Sequence, residues 1–218
     1  MVYIILLLVY FVHTWFTHES KIYDIIQYNN DRVIGVFALN ELETRIVNID
    51  VDKIRERLIE INSVKVKEEN QINNIYDFSD RRLIKDKGYA RIRIVEDLLS
   101  HSTHYYMTTK KMLSQEIYKV MEENETEILD AAAGENIFKS LGLELVQSIK
   151  KYRESYKYKN TLIEIDINDK SFCPFPYIEI ETNYDNELEE VVTLLGYTIE
   201  QTTSKTIYEL LKDFNISG

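Results

Sequence analysis

The chain has 218 residues, a formal net charge of −11 and an apolar fraction of 44%. This length suits one domain or at most two, and the apolar fraction is sufficient for a buried core. The acidic balance argues against nucleic acid as a partner, because proteins that bind duplexes normally carry a basic surface.

Residues 1–37 form an apolar leader that is treated separately from the rest of the chain. The apolar run at residues 2–12 is shorter than the roughly 20 residues that a membrane-spanning helix needs. It also lacks the basic start and the cleavage site of a signal peptide. A wrongly assigned translation start, a peripheral apolar helix and a membrane anchor all stay open, so membrane contact is expected only through this leader.

Residues 38–218 are predicted to form one domain in which signals of period two alternate with signals of period 3.6. The predicted strands are residues 39–49, 71–78, 89–95, 101–111, 115–129, 145–156, 161–167 and 177–182. Apolar residues at helical spacing predict helices at residues 51–61, 131–141, 186–195 and 204–214. Asp50 is the predicted cap of the first helix, and Gly142 and Gly196 are predicted to stop the second and third.

Many of the predicted strands carry ionic residues at alternate positions, which places those residues on one face. In the first strand Glu41, Glu43 and Arg45 share a face, and Leu42 and Ile46 point the other way. One such strand alone would fit an ordinary sheet with one solvated face. The same spacing recurs in Arg91 and Arg93, Glu123, Glu125 and Glu127, Lys151 and Arg153, and Glu179 and Glu181.

These ionic faces are segregated into acidic and basic rows, and like charges on one face repel unless something bridges them. Mg²⁺ or Mn²⁺ bridges carboxylates, and phosphate oxygens bridge Arg and Lys. Two unit charges about 4 Å apart interact by roughly 4 kcal/mol at an effective dielectric near 20. Burying many such charges away from water costs more free energy than their pairing recovers. We therefore expect a closed or nearly closed sheet whose ionic face lines a wet cavity and whose aliphatic face is covered by helices.

A series of charged motifs follows in a fixed order over about residues 40–214. Its members are Glu41-x-Glu43-x-Arg45, Arg91-x-Arg93, Thr108-x-Lys110, Glu123-x-Glu125-x-Glu127, Lys151-x-Arg153, Asp166 and Glu179-x-Glu181. The series resembles the CYTH superfamily, the triphosphate tunnel enzymes, which include class IV adenylyl cyclases, thiamine triphosphatases and inorganic triphosphatases. Three features depart from the family pattern. Arg45 replaces a lysine, and the residues before Glu179 contain Pro174 and Pro176. The basic residue that usually precedes the acidic strand is not clearly placed, being Lys119 or none.

The resemblance implies an α+β fold, an antiparallel, closed or nearly closed eight-stranded β-tunnel with helices packed on its outside. It implies a triphosphate held by basic side chains: Arg45, Arg91, Arg93, Lys110, Lys151 and Arg153. It implies Mg²⁺ or Mn²⁺ bound by carboxylates: Glu41, Glu43, Glu125, Glu127, Asp166, Glu179 and Glu181. Catalytic roles are expected for Glu41, Glu43, Arg153 and Asp166.

The expected reaction is that of a class IV adenylyl cyclase, which converts ATP to cyclic AMP and pyrophosphate. Hydrolysis of tripolyphosphate or thiamine triphosphate stays open, and so does a non-catalytic module that binds nucleotide or polyphosphate. The partner is in each case a small triphosphate, and a homodimer is a further option. The single cysteine, Cys173, excludes an intramolecular disulfide and is typical of a reducing compartment, so a cytoplasmic location is expected.

The remaining polar and aromatic residues are given structural interpretations. His101 and His104 lack a third metal ligand in the sequence, so a metal site there is not expected. Tyr105 and Tyr106 are interpreted as strand packing rather than as a stacking surface for adenine.

Overall fold

The computed structural model describes residues 26–29, 32–35 and 41–214, and the chain divides into two units between Phe37 and Ala38. In the first unit, β1 (Ile26–Asn29) and β2 (Arg32–Gly35) form an antiparallel pair. The apolar run at residues 2–12, and with it the prediction about the leader, lies outside the described residues. None of the helices in the described part is long and apolar enough to span a membrane.

The second unit is a closed antiparallel barrel of eight strands, which confirms the predicted fold class. Its strands are β3 (Glu41–Val47), β4 (Val64–Phe78), β5 (Gly88–Asp97), β6 (Ser102–Gln115), β7 (Lys119–Ile128), β8 (Leu143–Tyr158), β9 (Thr161–Asn168) and β10 (Tyr177–Thr182). Around the barrel they follow the order β10-β3-β7-β6-β5-β4-β8-β9. Every neighbouring pair is antiparallel, so inward and outward side chains alternate along each strand.

The helices follow the predicted caps closely. They are α1 (Val51–Glu60), α2 (Arg82–Lys85), α3 (Ala131–Ser140), α4 (Asp185–Leu194) and α5 (Ile207–Asp213). The Asp50 carboxylate accepts a hydrogen bond from the backbone N–H of Lys53 at 3.3 Å, which caps α1. Gly142 and Gly196 follow α3 and α4 with φ of 87° and 86°, the left-handed conformation that ends a helix.

Two elements differ from the sequence prediction. Strand β4 begins at Val64 rather than at residue 71, because its polar first half pairs along its whole length with β8. Backbone pairing rather than an apolar pattern forms this part of the strand. The charged segment at residues 80–88, for which no helix was predicted, contains α2, and the backbone N–H groups of Leu83 and Ile84 donate to the Asp77 carboxylate at 3.0 Å.

The apolar core lies on the outside of the barrel, between the wall and the helices. Ile163 and Ile178 on the outward face are completely buried, and Leu58 of α1 and Leu188 of α4 pack in the same cluster. A second cluster joins Leu211 of α5 to inward-facing residues at one end of the barrel: Ile75, Ile149 and Tyr177. Helix α5 therefore closes one end of the barrel, and the ionic side chains occupy the interior beyond it.

Candidate active site

Three carboxylates converge on the inner face of the barrel where β3 and β10 pair. The register places Glu43 opposite Glu181, and Arg45 opposite Glu179. One carboxylate oxygen from each of Glu43, Glu179 and Glu181 lies within 4.8 Å of the other two. The period of two brings the charges of each strand inward, and the register then brings the two acidic rows together.

Glu43 and Glu179 are balanced by cations of the same interior. Arg45 contacts both carboxylates, and the Lys119 Nζ lies 2.5 Å from Glu43 Oε1. Arg153 Nη2 donates to Glu179 Oε2 at 2.9 Å. Burial opposes ionisation of Glu179, but Arg45 and Arg153 outweigh it and hold its pKa well below the usual value.

Glu181 differs from its two neighbours. Within the described part of the chain, Glu43 and Glu179 form ion pairs with basic side chains, whereas Glu181 forms none. Burial, together with the carboxylates of Glu164 and Glu43, raises the pKa of Glu181 well above its usual value. Glu181 therefore resists ionisation in this surrounding, and a bound cation would favour its charged form.

Arg153, Lys151 and Asp166 form a compact ion cluster on β8 and β9, beside the carboxylates. Asp166 is completely buried, and it accepts from Arg153 Nε at 2.6 Å and from Lys151 Nζ at 2.7 Å. Burial raises the pKa of Asp166, but Arg153 and Lys151 outweigh it, so that the pKa lies below the usual value. Asp166 therefore orients the Arg153 and Lys151 side chains.

The opposite side of the interior, on β5, β6 and β7, carries the second basic group. Arg93 Nη2 donates to Glu125 at 2.8 Å, and Lys110 Nζ lies 2.6 Å from Glu123. Arg91 Nη2 lies 3.2 Å from the same Glu125. The acidic rows are therefore bridged by basic rows of neighbouring strands in the same interior.

Some hydrogen-bond donors of the interior arginine side chains have no acceptor in the described part of the chain. The Nε groups of Arg45, Arg91 and Arg93 are buried and make no hydrogen bond. Burial and the charge of Arg91 lower the pKa of Arg93, which indicates crowded positive charge at this place. An anion with several oxygens would supply acceptors for these donors and relieve the crowding.

The chemistry of the three carboxylates fits a hard divalent cation. Oxygen ligands in flexible arrangements bind Mg²⁺, Mn²⁺ or Ca²⁺, whereas structural zinc sites rely on Cys and His. Such an ion would stabilise the ionised form of Glu181, which burial and the neighbouring carboxylates disfavour. Glu43 and Glu179 would share their oxygens between the ion and their present partners, Arg45 among them.

The structure brings together some of the predicted site residues and separates others. Of the seven predicted metal ligands, Glu43, Glu179 and Glu181 form the cluster. Glu125 pairs with Arg91 and Arg93, while Glu127 lies beside His104 at the barrel mouth. Asp166 is engaged by Lys151 and Arg153. Glu41 begins β3 opposite Met121, and its side chain lies outside the described part.

Two interior residues were not assigned by the sequence analysis. Lys119 is buried opposite Glu43, at a position where the family's basic residue could not be placed from sequence. Glu164 is 2% exposed and contacts Arg153. The Glu164-x-Asp166 alternation in β9 is the signal that would have found it.

Comparisons with known proteins agree with this geometry. The family model described as CYTH domain matches residues 40–207. A Methanocaldococcus jannaschii protein named "Putative adenylate cyclase MJ0240" is 27% identical over 179 residues, which span 81% of this chain and 90% of that protein.

Two solved structures have similar folds. The PH1819 protein of Pyrococcus horikoshii OT3 has a TM-score of 0.66 and 25% identity, covering 80% of this chain and 99% of that one. HpAC1 from Hippeastrum, described as having a dominant triphosphatase activity, has a TM-score of 0.60 and 15% identity, covering 82% and 97%. At that identity the second likeness shows the fold alone.

Proposed function

The chain belongs to the CYTH domain family, and from this premise we propose that it is a divalent-metal-dependent adenylyl cyclase that converts ATP to cyclic AMP and pyrophosphate. The observation that carries the proposal is the cluster of Glu43, Glu179 and Glu181, whose carboxylates converge inside a barrel rich in Arg and Lys. An acidic cation site beside basic phosphate ligands is the arrangement that phosphoryl chemistry on a triphosphate needs.

The basic side chains of both interior groups bind and orient the triphosphate. Arg91 and Arg93 have buried Nε donors without partners, which phosphate oxygens would fill. Lys110 contributes from β6, and Lys151 and Arg153 contribute from β8, held in place by Asp166. Asp166 acts in this proposal as a positioning residue.

The carboxylate cluster holds the metal ion. When bound, Mg²⁺ or Mn²⁺ neutralises phosphate charge and polarises the reacting phosphorus centre. Glu181 offers the free carboxylate for this ion, and Glu43 and Glu179 complete the set. Glu41 and Glu125 are further candidates by sequence, although Glu125 pairs with Arg91 and Arg93.

Cyclisation is favoured over other reactions by the name of the Methanocaldococcus jannaschii relative, whose match covers 81% of this chain. In cyclisation the ribose 3′-oxygen of ATP forms a bond to the α-phosphorus, and pyrophosphate leaves. The chain contributes to this step by bending the triphosphate along its two basic groups and by excluding bulk water at the closed end of the barrel.

Hydrolysis of the terminal phosphate is the second candidate. It is favoured by the number of cations that line the interior, since an inorganic triphosphate is held by charge alone. The Hippeastrum protein, which shares the fold, is the one described with a triphosphatase activity. Tripolyphosphate and thiamine triphosphate are the substrates to compare with ATP.

A non-catalytic triphosphate-binding module is the third candidate. Arg45 contacts both Glu43 and Glu179, and this guanidinium competes with a metal ion for two of the three carboxylates. In that case the barrel would bind a triphosphate without turning it over.

One assay separates the three candidates. The full chain is incubated with ATP or tripolyphosphate in the presence of Mg²⁺ or Mn²⁺, with a chelator as the control. We expect cyclic AMP and pyrophosphate in equal amounts, and no product with the chelator. Orthophosphate as the main product would replace the cyclase by a triphosphatase. Tight binding measured by calorimetry with no product from any triphosphate would leave only the binding module.

A cytoplasmic location, where ATP is available, is part of the proposal, and Cys173 is a free buried thiol in keeping with it. Homodimerisation and membrane contact through residues 1–37 stay predictions. Fractionating cells that express the chain with and without residues 1–37 tests the second of these.

A further inference from the structure

Two aromatic side chains lie at the mouth of the barrel, on the inward face of β6. Tyr106 is opposite Arg93 of β5 and Glu127 of β7, and His104 lies two residues nearer the strand's start. Tyr106 is half-buried, and the His104 side chain is 35% exposed. Both rings are therefore accessible from the open end, opposite the end that α5 closes.

Tyr106 is in direct contact with the basic group that the proposal assigns to phosphate binding. The Arg93 guanidinium carbon lies 5.1 Å from the centroid of the Tyr106 ring, which is a cation–π contact. The neighbouring Arg91 lies deeper along the same strand. A ligand whose phosphates reach Arg91 and Arg93 would thus extend outward past Tyr106.

His104 is held in a fixed orientation. Its Nδ1 lies 2.7 Å from Glu127 Oε1, and its Nε2 lies 2.6 Å from Ser102 Oγ. The His104 and Tyr106 ring planes are within 27° of each other, with centroids 6.4 Å apart. The two near-parallel rings offer aromatic faces, and the orientation of the His104 ring is set before a ligand arrives.

The interior tyrosines at the opposite end differ. Tyr177 is buried in the cluster beneath α5, and Tyr89 packs against the same cluster. Among the described inward-facing aromatic side chains, His104 and Tyr106 are the ones beside both the open mouth and the basic group. The packing role given to Tyr106 from sequence does not account for this position.

We propose that Tyr106 and His104 form a stacking platform for the base of a purine nucleoside triphosphate whose phosphates reach Arg91 and Arg93. This inference rests on the proposed function and narrows its substrate class. Every base can stack on an aromatic surface, and a purine offers a larger ring area than a pyrimidine. The platform thereby distinguishes a nucleotide from an inorganic triphosphate, which has no base to stack.

The test compares ligands that share the triphosphate and differ in the base. Dissociation constants of the full chain are measured by calorimetry for ATP, CTP and tripolyphosphate in Ca²⁺, after the product assay has established that this ion supports no turnover. We expect the wild-type chain to bind ATP more tightly than CTP. We expect Tyr106→Ala to weaken ATP binding roughly 10- to 100-fold, and tripolyphosphate binding less than about 3-fold.

Matched variants control for indirect effects. Tyr105→Ala changes the adjacent tyrosine on the outward face and should leave both affinities unaltered. Tyr106→Phe keeps the ring and should retain ATP binding. His104→Ala should weaken ATP binding less than Tyr106→Ala, again with tripolyphosphate spared. Melting temperatures of all variants establish that each is folded.

The outcomes are distinct. Equal losses for ATP and tripolyphosphate in Tyr106→Ala would mean that Tyr106 only positions Arg93, which would overturn the platform. Unchanged ATP binding in that variant would also overturn it. A wild-type chain that binds tripolyphosphate as tightly as ATP would reject the platform alone, whereas a chain that binds no triphosphate would reject the proposed function as well.

Discussion

Two groups of buried carboxylates lie on opposite faces of the same barrel, and they differ in how completely they are neutralised. The outer group is centred on Glu154 of β8, whose side chain is 1% exposed. Arg55 Nε of α1 donates to it at 3.1 Å, and Lys65 lies 3.1 Å away. The hydroxyl groups of Tyr152 and Tyr156 donate to it at 3.0 and 2.6 Å.

The inner group consists of Glu43, Glu179 and Glu181. Arg45, Lys119 and Arg153 pair with the first two carboxylates, and no ion pair in the described part reaches Glu181. The pKa of Glu181 is raised by burial and by the other carboxylates, whereas hydrogen bonds and ion pairs lower the pKa of Glu154 to about 2. The pKa shifts of Glu181 and Glu154 are therefore opposite in direction.

The contrast between Glu154 and Glu181 gives a criterion that separates a structural carboxylate from a candidate functional one. A buried charge with a full set of partners stabilises the native state and resists its own removal. A buried charge without partners costs free energy unless a ligand supplies the missing charge. Glu154 therefore holds α1 against the barrel, and Glu181 offers a carboxylate to which a cation would bind.

The largest expected effect concerns Glu181→Gln, which replaces the carboxylate that has no ion-pair partner in the described part with a neutral amide of similar shape. We expect turnover of the triphosphate to fall at least about 100-fold, because even the partners of metal ligands are worth 10- to 100-fold. The melting temperature without metal should stay the same or rise, since the amide avoids the cost of ionising a carboxyl group whose pKa is raised. The stabilisation that added Mn²⁺ gives the wild-type chain should be lost in this variant.

Glu144→Gln is the matched control for that prediction. Glu144 is an exposed residue of β8, so both activity and metal-induced stabilisation should remain those of the wild-type chain. A marked fall in the melting temperature of Glu181→Gln would mean that Glu181 is structural, and the contrast between the two groups would then fail.

The second effect concerns Glu154→Gln, which removes the charge from the outer group. We expect the free energy of unfolding to fall by about 2–3 kcal/mol, since Arg55 and Lys65 lose their anion while part of the hydrogen bonding is kept. Activity per folded molecule should not change, because the side chain faces away from the interior. Urea denaturation and the triphosphate assay measure the two quantities. A loss of activity at full stability would make the outer group part of the site.

Much of the fold was predictable because local patterns and tertiary structure agree. Alternating polarity gave β10 with its observed bounds, Tyr177–Thr182. The Asp50 cap and the terminal glycines gave the helix ends. The first half of β4 and the four-residue α2 carry no apolar period, so only tertiary pairing forms them. The closure of the sheet was expected from the segregated ionic faces and also from the resemblance of the motifs.

The sequence predicted which strand face each candidate site residue occupies, but not which other side chains that residue contacts. Parity alone put Glu43 and Glu179 on the inward face, yet 136 positions separate them in the sequence, and only the β3–β10 register brings them together. The close pairing of Arg45 with both of them depends on side-chain packing, which no local pattern encodes. The catalytic and binding roles of these residues stay predictions.

A third effect concerns pH and sharpens the outer half of the comparison. The pKa of Glu154 is about 2 in the folded chain, because hydrogen bonds from Arg55 and Tyr156 outweigh burial, against an ordinary value of 4.5. Stability from the ionised carboxylate is therefore present above pH 4.5 and is lost as the pH falls toward 2. The difference in unfolding free energy between the wild-type chain and Glu154→Gln should be constant from pH 7 to 5 and shrink at pH 3. A difference that grows on acidification would contradict this account.

The smallest effect concerns one hydrogen bond of the outer group. Tyr156→Phe removes the hydroxyl that donates to Glu154 Oε2 at 2.6 Å and keeps the ring in the apolar core. We expect a loss of about 1 kcal/mol in the free energy of unfolding, the usual net value of one such bond, with unchanged activity. Tyr158→Phe is the matched control on the same face, where the hydroxyl reaches Glu190 at only 3.4 Å, and its loss should be smaller. Equal losses in the two variants would mean that Glu154 is held by its cations alone, and the outer group would then owe its stability to charge rather than to a complete set of hydrogen bonds.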